Sequence, residues 1–224
     1  MKTAAEIIAH LRTLRCPRNV EGQRRYGIVP RGEHLGIRAP VLREIARRHR
    51  RDHGLALELW KTGLHEARVL AALIDDPARV TRAQMEQWVR ECDNWGVTDA
   101  CCCVLFDRTE FAIEKAHQWS RRRAEFVKRC GFVLMAGLAV HRKELEDKIF
   151  VGFLPIIRRE ATDGRNFVKK AVNWALRQIG KRNPRLRRAA IAEAKRIHRI
   201  DSSSARWIAA DALRELGRTE PRGH

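Results

Sequence analysis

The sequence predicts an all-α protein in which pairs of helices stack into a solenoid, an α–α superhelix with a concave basic groove. Three observations carry that prediction. Apolar residues recur with the 3.6-residue period of amphipathic helices along the whole chain, while alternating strand patterns and hairpin signals are absent from the sequence. Weak self-similarity links distant segments: "FVKRCGFVLMA" at 126 resembles "FVKKAVNWALR" at 167, and "VKKAVNWALRQ" at 168 resembles "ARWIAADALRE" at 205. That spacing is one helical pair per unit, as in HEAT-like arrays. The third observation is charge, with 46 Lys and Arg against 27 Asp and Glu and a formal net of +19. Self-repulsion of that size is offset by a polyanionic partner, nucleic acid before an anionic membrane. An irregular helical bundle with a solvated basic surface is the alternative that these patterns leave open.

Each element has a local reason. Thr3 with Glu6 makes a capping box before "AAEIIAHLRTL", Pro40 opens "PVLREIARRHRR", and Thr81 with Gln84 starts "RAQMEQWVREC". Further helical stretches are "ARVLAALI", "WGVTDACCCVLF", "FAIEKAHQW", "EFVKRCGFVLMAGLAV", "LEDKIFVGFLPIIRREA", "NFVKKAVNWALRQIG", "PRLRRAAIAEAKRIH" and "SARWIAADALREL". Joints such as "GKRNP" and "IDSSS" are short and rich in breakers. Residues 1–216 read as one repeat domain, and 217–224 as a frayed tail.

At 224 residues, with 44% hydrophobic and 33% charged residues, the chain can bury a sizeable core. No run reaches the ~18 apolar residues of a membrane span. The start "MKTAAEIIAHLRTLR" has no long apolar block and no small-residue cleavage site, so a cytoplasmic, nucleoid-associated protein is expected. Cys101, Cys102 and Cys103 are consecutive; on a helix they point about 100° apart and cannot converge on one ion. With no CxxC, HxxxH or HxH spacing, neither a metal nor a disulfide framework is expected, and no cofactor is called for. A monomer is the default.

Three helices carry residues that packing alone does not require. In "DNWGVTDACCCVLF" Asp93 reads as the N-cap; Trp95 and Asp99 share a face that Cys102 and Phe106 continue, and Val97, Ala100, Cys101 and Val104 make the opposite face. Asp99 is too deep in the helix to cap it and has no cation at neighbouring helical positions. Its charge must be compensated from elsewhere in the fold or by a ligand. In "NFVKKAVNWALRQIG" Val168, Val172, Ala175 and Ile179 form an apolar stripe, whereas Lys170, Trp174 and Arg177 lie on a different side. An aromatic between two cations suits a sugar or base contact flanked by phosphates; a Trp wedged against the next repeat is the competing reading. "VKRCGFVLMAGLAV" is an internal helix with a cationic end, Lys128 and Arg129, and Arg129 is expected to point into the groove, toward phosphate or toward Asp99. The clusters at 47–51, 121–123 and 184–188 line the groove or face solvent.

These residues resemble the AlkD family of DNA alkylation-repair glycosylases over about residues 20–215. The family's Trp-x3-Asp pair is similar to Trp95 and Asp99, its arginine to Arg129 in "VKRCGFVLMA", and its second tryptophan to Trp174 in "FVKKAVNWALRQIGKRNP". Its Gly-Ile-x-x-Pro segment and the basic helix after it resemble "LGIRAPVLREIARR" at 35–48, and Tyr26 aligns loosely with a DNA contact. Asn94 stands where an aromatic precedes the first tryptophan in the best-studied type. The resemblance implies a HEAT-like solenoid and a monofunctional glycosylase that removes N3- or N7-alkylated purines from duplex DNA in base excision repair. Asp99, Trp95 and Trp174 would then be catalytic, and Arg129, Lys128, Lys170, Arg177 and Tyr26 would bind DNA. A non-catalytic module for structured or damaged nucleic acid is the second expectation.

Overall fold

The structure is a computed structural model that describes residues 3–218. The described residues are helical throughout, without a strand, and gather into two compact units, Met1–Thr109 and Glu110–His224, within the span expected as one repeat domain. The expected tail is described only as far as Arg218; the rest of it lies outside the described residues.

The N-terminal unit contains α1 (Ala4–Thr13), α2 (Pro17–Arg25), α3 (Ala39–Arg47), α4 (His53–Lys61), α5 (His65–Ile74), α6 (Arg82–Glu91) and α7 (Trp95–Ala100). A π turn, Cys101–Leu105, and a 3-10 turn, Phe106–Arg108, follow α7 directly. The predicted caps are in place: Thr3 Oγ1 accepts from Glu6 N at 3.2 Å, and Pro40 sits in the first turn of α3. Thr81 Oγ1 accepts from Gln84 N at 3.1 Å, but the Gln84 side chain does not close the capping box; its amide donates to Asp75 at 2.6 Å. α5 packs against α3, α4 and α7. The centre of the unit is a parallel stack of Trp60 on Trp88, ring centroids 4.0 Å apart. Trp60 Nε1 donates to Glu91 at 2.7 Å, so its one polar group is satisfied.

The C-terminal unit contains α8 (Ala112–Trp119), α9 (Glu125–His141), α10 (Asp147–Glu160), α11 (Asn166–Lys181), α12 (Pro184–His198) and α13 (Ser203–Leu216). α11 packs against both α9 and α13, so the three self-similar segments are neighbours in space. α9 is buried continuously from Arg129 to Ala139, and Gly131 explains how: a Cβ there would lie 2.4 Å from Ser120 N at the end of α8. On α11 the predicted stripe Val168, Val172, Ala175 and Ile179 is fully buried. Asn183 caps α12 and Ser202 caps α13, at the two joints read from the sequence.

Candidate nucleic-acid interface

In the N-terminal unit the start of α7 differs by one residue from the sequence reading. The cap is Asn94, whose Oδ1 accepts from Gly96 N at 2.9 Å and Val97 N at 3.2 Å. Asp93 is engaged elsewhere: its carboxylate accepts from Arg31 N and from Asn94 Nδ2, both at 2.7 Å. Asn94 is buried, and its amide also faces His65 Nδ1 at 3.4 Å. Trp95 is half-buried and its indole N–H donates to the Tyr26 carbonyl at 2.8 Å, while the Tyr26 ring is 78% exposed. Asp99, one turn further on, is half-buried.

Directly after Ala100 the helix widens into the π turn, where Phe106 N reaches back to Cys101 O. The extra residue in that turn rotates everything beyond it. Along the expected face Cys102 and Phe106 are fully buried, while Trp95 and Asp99 are partly open. Of the opposite face, Val97 and Cys101 are buried and Ala100 and Val104 half-buried. Burial pushes the Cys101 thiol well above its ordinary range, so it is a packing group rather than a nucleophile.

Beneath this end lies a polar network that no spacing in the sequence announced. Glu66, fully buried on α5, accepts from Leu35 N at 3.1 Å, Gly36 N at 2.7 Å and Ile37 N at 3.1 Å. Gly36 has φ +78, the left-handed backbone that lets three successive N–H groups turn toward one carboxylate. His34 Nε2 lies 3.7 Å from Glu66, and its ring meets that of His65 edge-on at 4.8 Å. Burial outweighs the pull of Glu66 and lowers His65 to about 4; it lowers His34 as well. Both imidazoles are thus neutral at physiological pH.

The C-terminal unit handles charge differently. Lys128 Nζ is 2.7 Å from Glu160 and 3.3 Å from Asp163. Arg129 is only 7% exposed and its guanidinium donates to Phe167 O on α11 at 2.7 Å, so it joins two repeats instead of standing at the surface. Arg177 pairs with Glu215 and lies 3.5 Å from Asp211; Lys181 joins Glu215 too. Burial pushes Asp163 up, but hydrogen bonds from Arg165 and Lys128 outweigh it and bring the carboxyl to about 2. Trp174 is half-buried off the apolar stripe, with Lys170 exposed one turn before it. The acidic partners were missed because they come from the following repeat: Asn173 meets Asp211 at 2.7 Å and Arg177 meets Glu215, each 38 positions apart.

A chain of stacked helices with a basic surface and partly open tryptophans belongs to the class of helical-repeat proteins. A solved structure matches it with a TM-score of 0.78 over 96% of each chain at 17% identity, and is described as "a new family of proteins related to the HEAT-like repeat DNA glycosylases with affinity for branched DNA structures". The fold is thus of the HEAT-like type. No curated protein matches the chain. The family model described as DNA alkylation repair enzyme matches residues 7–219, and the chain belongs to that family.

Proposed function

We propose that the protein is a monofunctional DNA glycosylase that hydrolyses the N-glycosidic bond of N3- or N7-alkylated purines in duplex DNA, acting as a monomer in the cytoplasm. The observation that carries this reading is the start of α7: a partly open Trp95 fixed through its indole N–H, with Asp99 half-buried one turn later. An alkylated purine is already cationic and leaves readily. The remaining demand is the positive charge that builds on the deoxyribose, as in other glycoside cleavages. A carboxylate held in a partly dry site stabilises that charge without reorganising. Asp99 supplies the carboxylate and orients the attacking water. The indole face of Trp95 adds about 0.5–2 kcal/mol against the developing cation, and Trp174 of the C-terminal unit offers a second aromatic face of the same kind. Tyr26 in the N-terminal unit and Lys170 in the C-terminal unit are exposed and available for backbone contacts, while Lys128, Arg129 and Arg177 are held by partners within the C-terminal unit.

The test is release of free base from DNA carrying N7-methylguanine. Wild type releases it, and Asp99→Asn loses on the order of 10²-fold or more of that rate. Equal release by Asp99→Asn removes the carboxylate from the mechanism. A second reading, a non-catalytic module for structured DNA, is favoured by the branched-DNA affinity of the structural neighbour and by the burial of Arg129. It predicts salt-sensitive DNA binding with no base released by wild type.

A further inference from the structure

The N-terminal ends of three helices of this unit lie together, and so do their C-terminal ends. The starts of α3, α5 and α7 are joined: Glu66 in the first turn of α5 binds the backbone just ahead of α3, and His65 faces the Asn94 cap of α7. Their far ends gather as well. Asp52 N donates to Ile74 O at 3.0 Å, and Arg50, Arg51, Val104 and Arg108 border a hollow of about 610 Å³ there. An adjoining hollow of about 240 Å³ shares Arg50 and adds Arg43. The two ends of the ten-residue α5 are about 15 Å apart.

Arg43, Arg50, Arg51 and Arg108 are exposed, and among the described residues none has an ion pair or a side-chain hydrogen bond. Some other arginines of the same unit are engaged, Arg12 with Glu33, Arg25 with Glu21, Arg47 with Glu44 and Arg68 with Glu91, while Arg15, Arg18, Arg24, Arg38, Arg48 and Arg79 are also without an ion pair among the described residues; what sets the four apart is that they gather at two adjoining hollows. Two carboxylates, Asp75 and Asp76, also line the larger hollow, and both are hydrogen-bonded to groups other than these arginines. Asp75 accepts from His53 at 2.7 Å and Gln84 at 2.6 Å, and Asp76 accepts from Ala78 N at 3.2 Å. Arg51 moreover sits at φ +61, a backbone position that favours glycine. Carbonyls at the ends of α3 and α5 attract cations, but they do not account for four guanidinium groups left unbonded around an open hollow.

We propose that this wall is a second nucleic-acid contact, which takes the phosphate backbone of a DNA arm other than the one engaged at Trp95 and Asp99. It rests on the reading that the Trp95 end meets DNA. Guanidinium forks match phosphate oxygens in pairs, and unbonded ones need not break an existing bond to do so. Because one set lies by the N-terminal ends of these helices and the other by their C-terminal ends, a short straight duplex on one end leaves the other free, whereas a junction supplies both.

The experiment measures affinity for a four-way DNA junction and for a short linear duplex over a range of salt. It uses wild type, the triple variant Arg43→Gln, Arg50→Gln, Arg108→Gln, and Trp95→Ala. The triple variant is expected to lose at least about tenfold in junction affinity at ~0.1 M salt and about 3 in the salt slope, with its linear-duplex affinity unchanged. Trp95→Ala is expected to lose the linear duplex. Wild-type junction affinity and slope in the triple variant, or an equal loss on both DNAs, overturns the second contact. Retained duplex binding in Trp95→Ala overturns the Trp95 reading separately, whatever the triple variant does.

Discussion

The two units stabilise their polar groups by opposite means. In the N-terminal unit a fully buried carboxylate, Glu66, is satisfied by three backbone N–H groups beside two neutral imidazoles. In the C-terminal unit the carboxylates Glu160, Asp163 and Glu215 are partly open and meet lysine and arginine across the repeat contacts. The difference teaches where cations are free for a ligand. A strongly basic chain does not present its charge evenly: in each unit some cations meet carboxylates, as Arg68 and Lys128 do, and others do not, as the arginines at the two hollows of the N-terminal unit.

The largest expected effect tests the buried side of that contrast. Glu66→Ala leaves three buried N–H groups without an acceptor and is expected to cost about 3–5 kcal/mol in urea unfolding. A loss near that of a surface pair would show that water replaces the carboxylate. Acid titration separates the units next. His65 is lowered from 6.5 to about 4, so the unfolded chain takes its proton first. Stability is full above pH 6.5 and falls, by on the order of 3 kcal/mol, as the pH drops toward about 4. Asp163, lowered from 3.8 to about 2, contributes stability that is present above pH 3.8 and lost as the pH falls toward 2. Amide exchange is therefore expected to quicken first around residues 34–37 and 65, and around residue 163 only in stronger acid. The reverse order breaks the comparison.

Gly131→Ala drives a methyl group into the Ser120 backbone and is expected to cost about 1–3 kcal/mol, read as a lower melting temperature. The smallest effect is Glu215→Gln, which loosens the pairs with Arg177 and Lys181 and is expected to cost under about 1 kcal/mol. The same substitution frees two cations, so a gain in DNA affinity from it would show that this lattice holds them back.

Much of the local structure was legible in advance. The caps at Thr3, Thr81 and Pro40, the joints at Asn183 and Ser202, and the buried stripe of α11 follow from side-chain types at fixed spacing. Trp174 was legible too, as a bulky residue off that stripe. The cap of α7 was not, because Asp93 and Asn94 are both good capping residues and the choice depends on Arg31, more than sixty positions away. The π turn was equally hidden: "CCCVL" has the period of an ordinary helix, and only the packing of Phe106 and Cys102 shows where a residue is inserted.

The sequence by itself determined an all-helical repeat chain, its basic excess and the pairing of Trp95 with Asp99 on one helix, since these depend on composition and on spacing within a turn or two. Tertiary structure decided which of those charges are spent on partners 30 to 40 residues away and which stay unbonded, and it gave Glu66 its place under the backbone ahead of α3. The physical reason is range: helical periodicity acts through bonds four residues apart, while the electrostatic partner of a side chain is whatever the fold brings within a few ångströms.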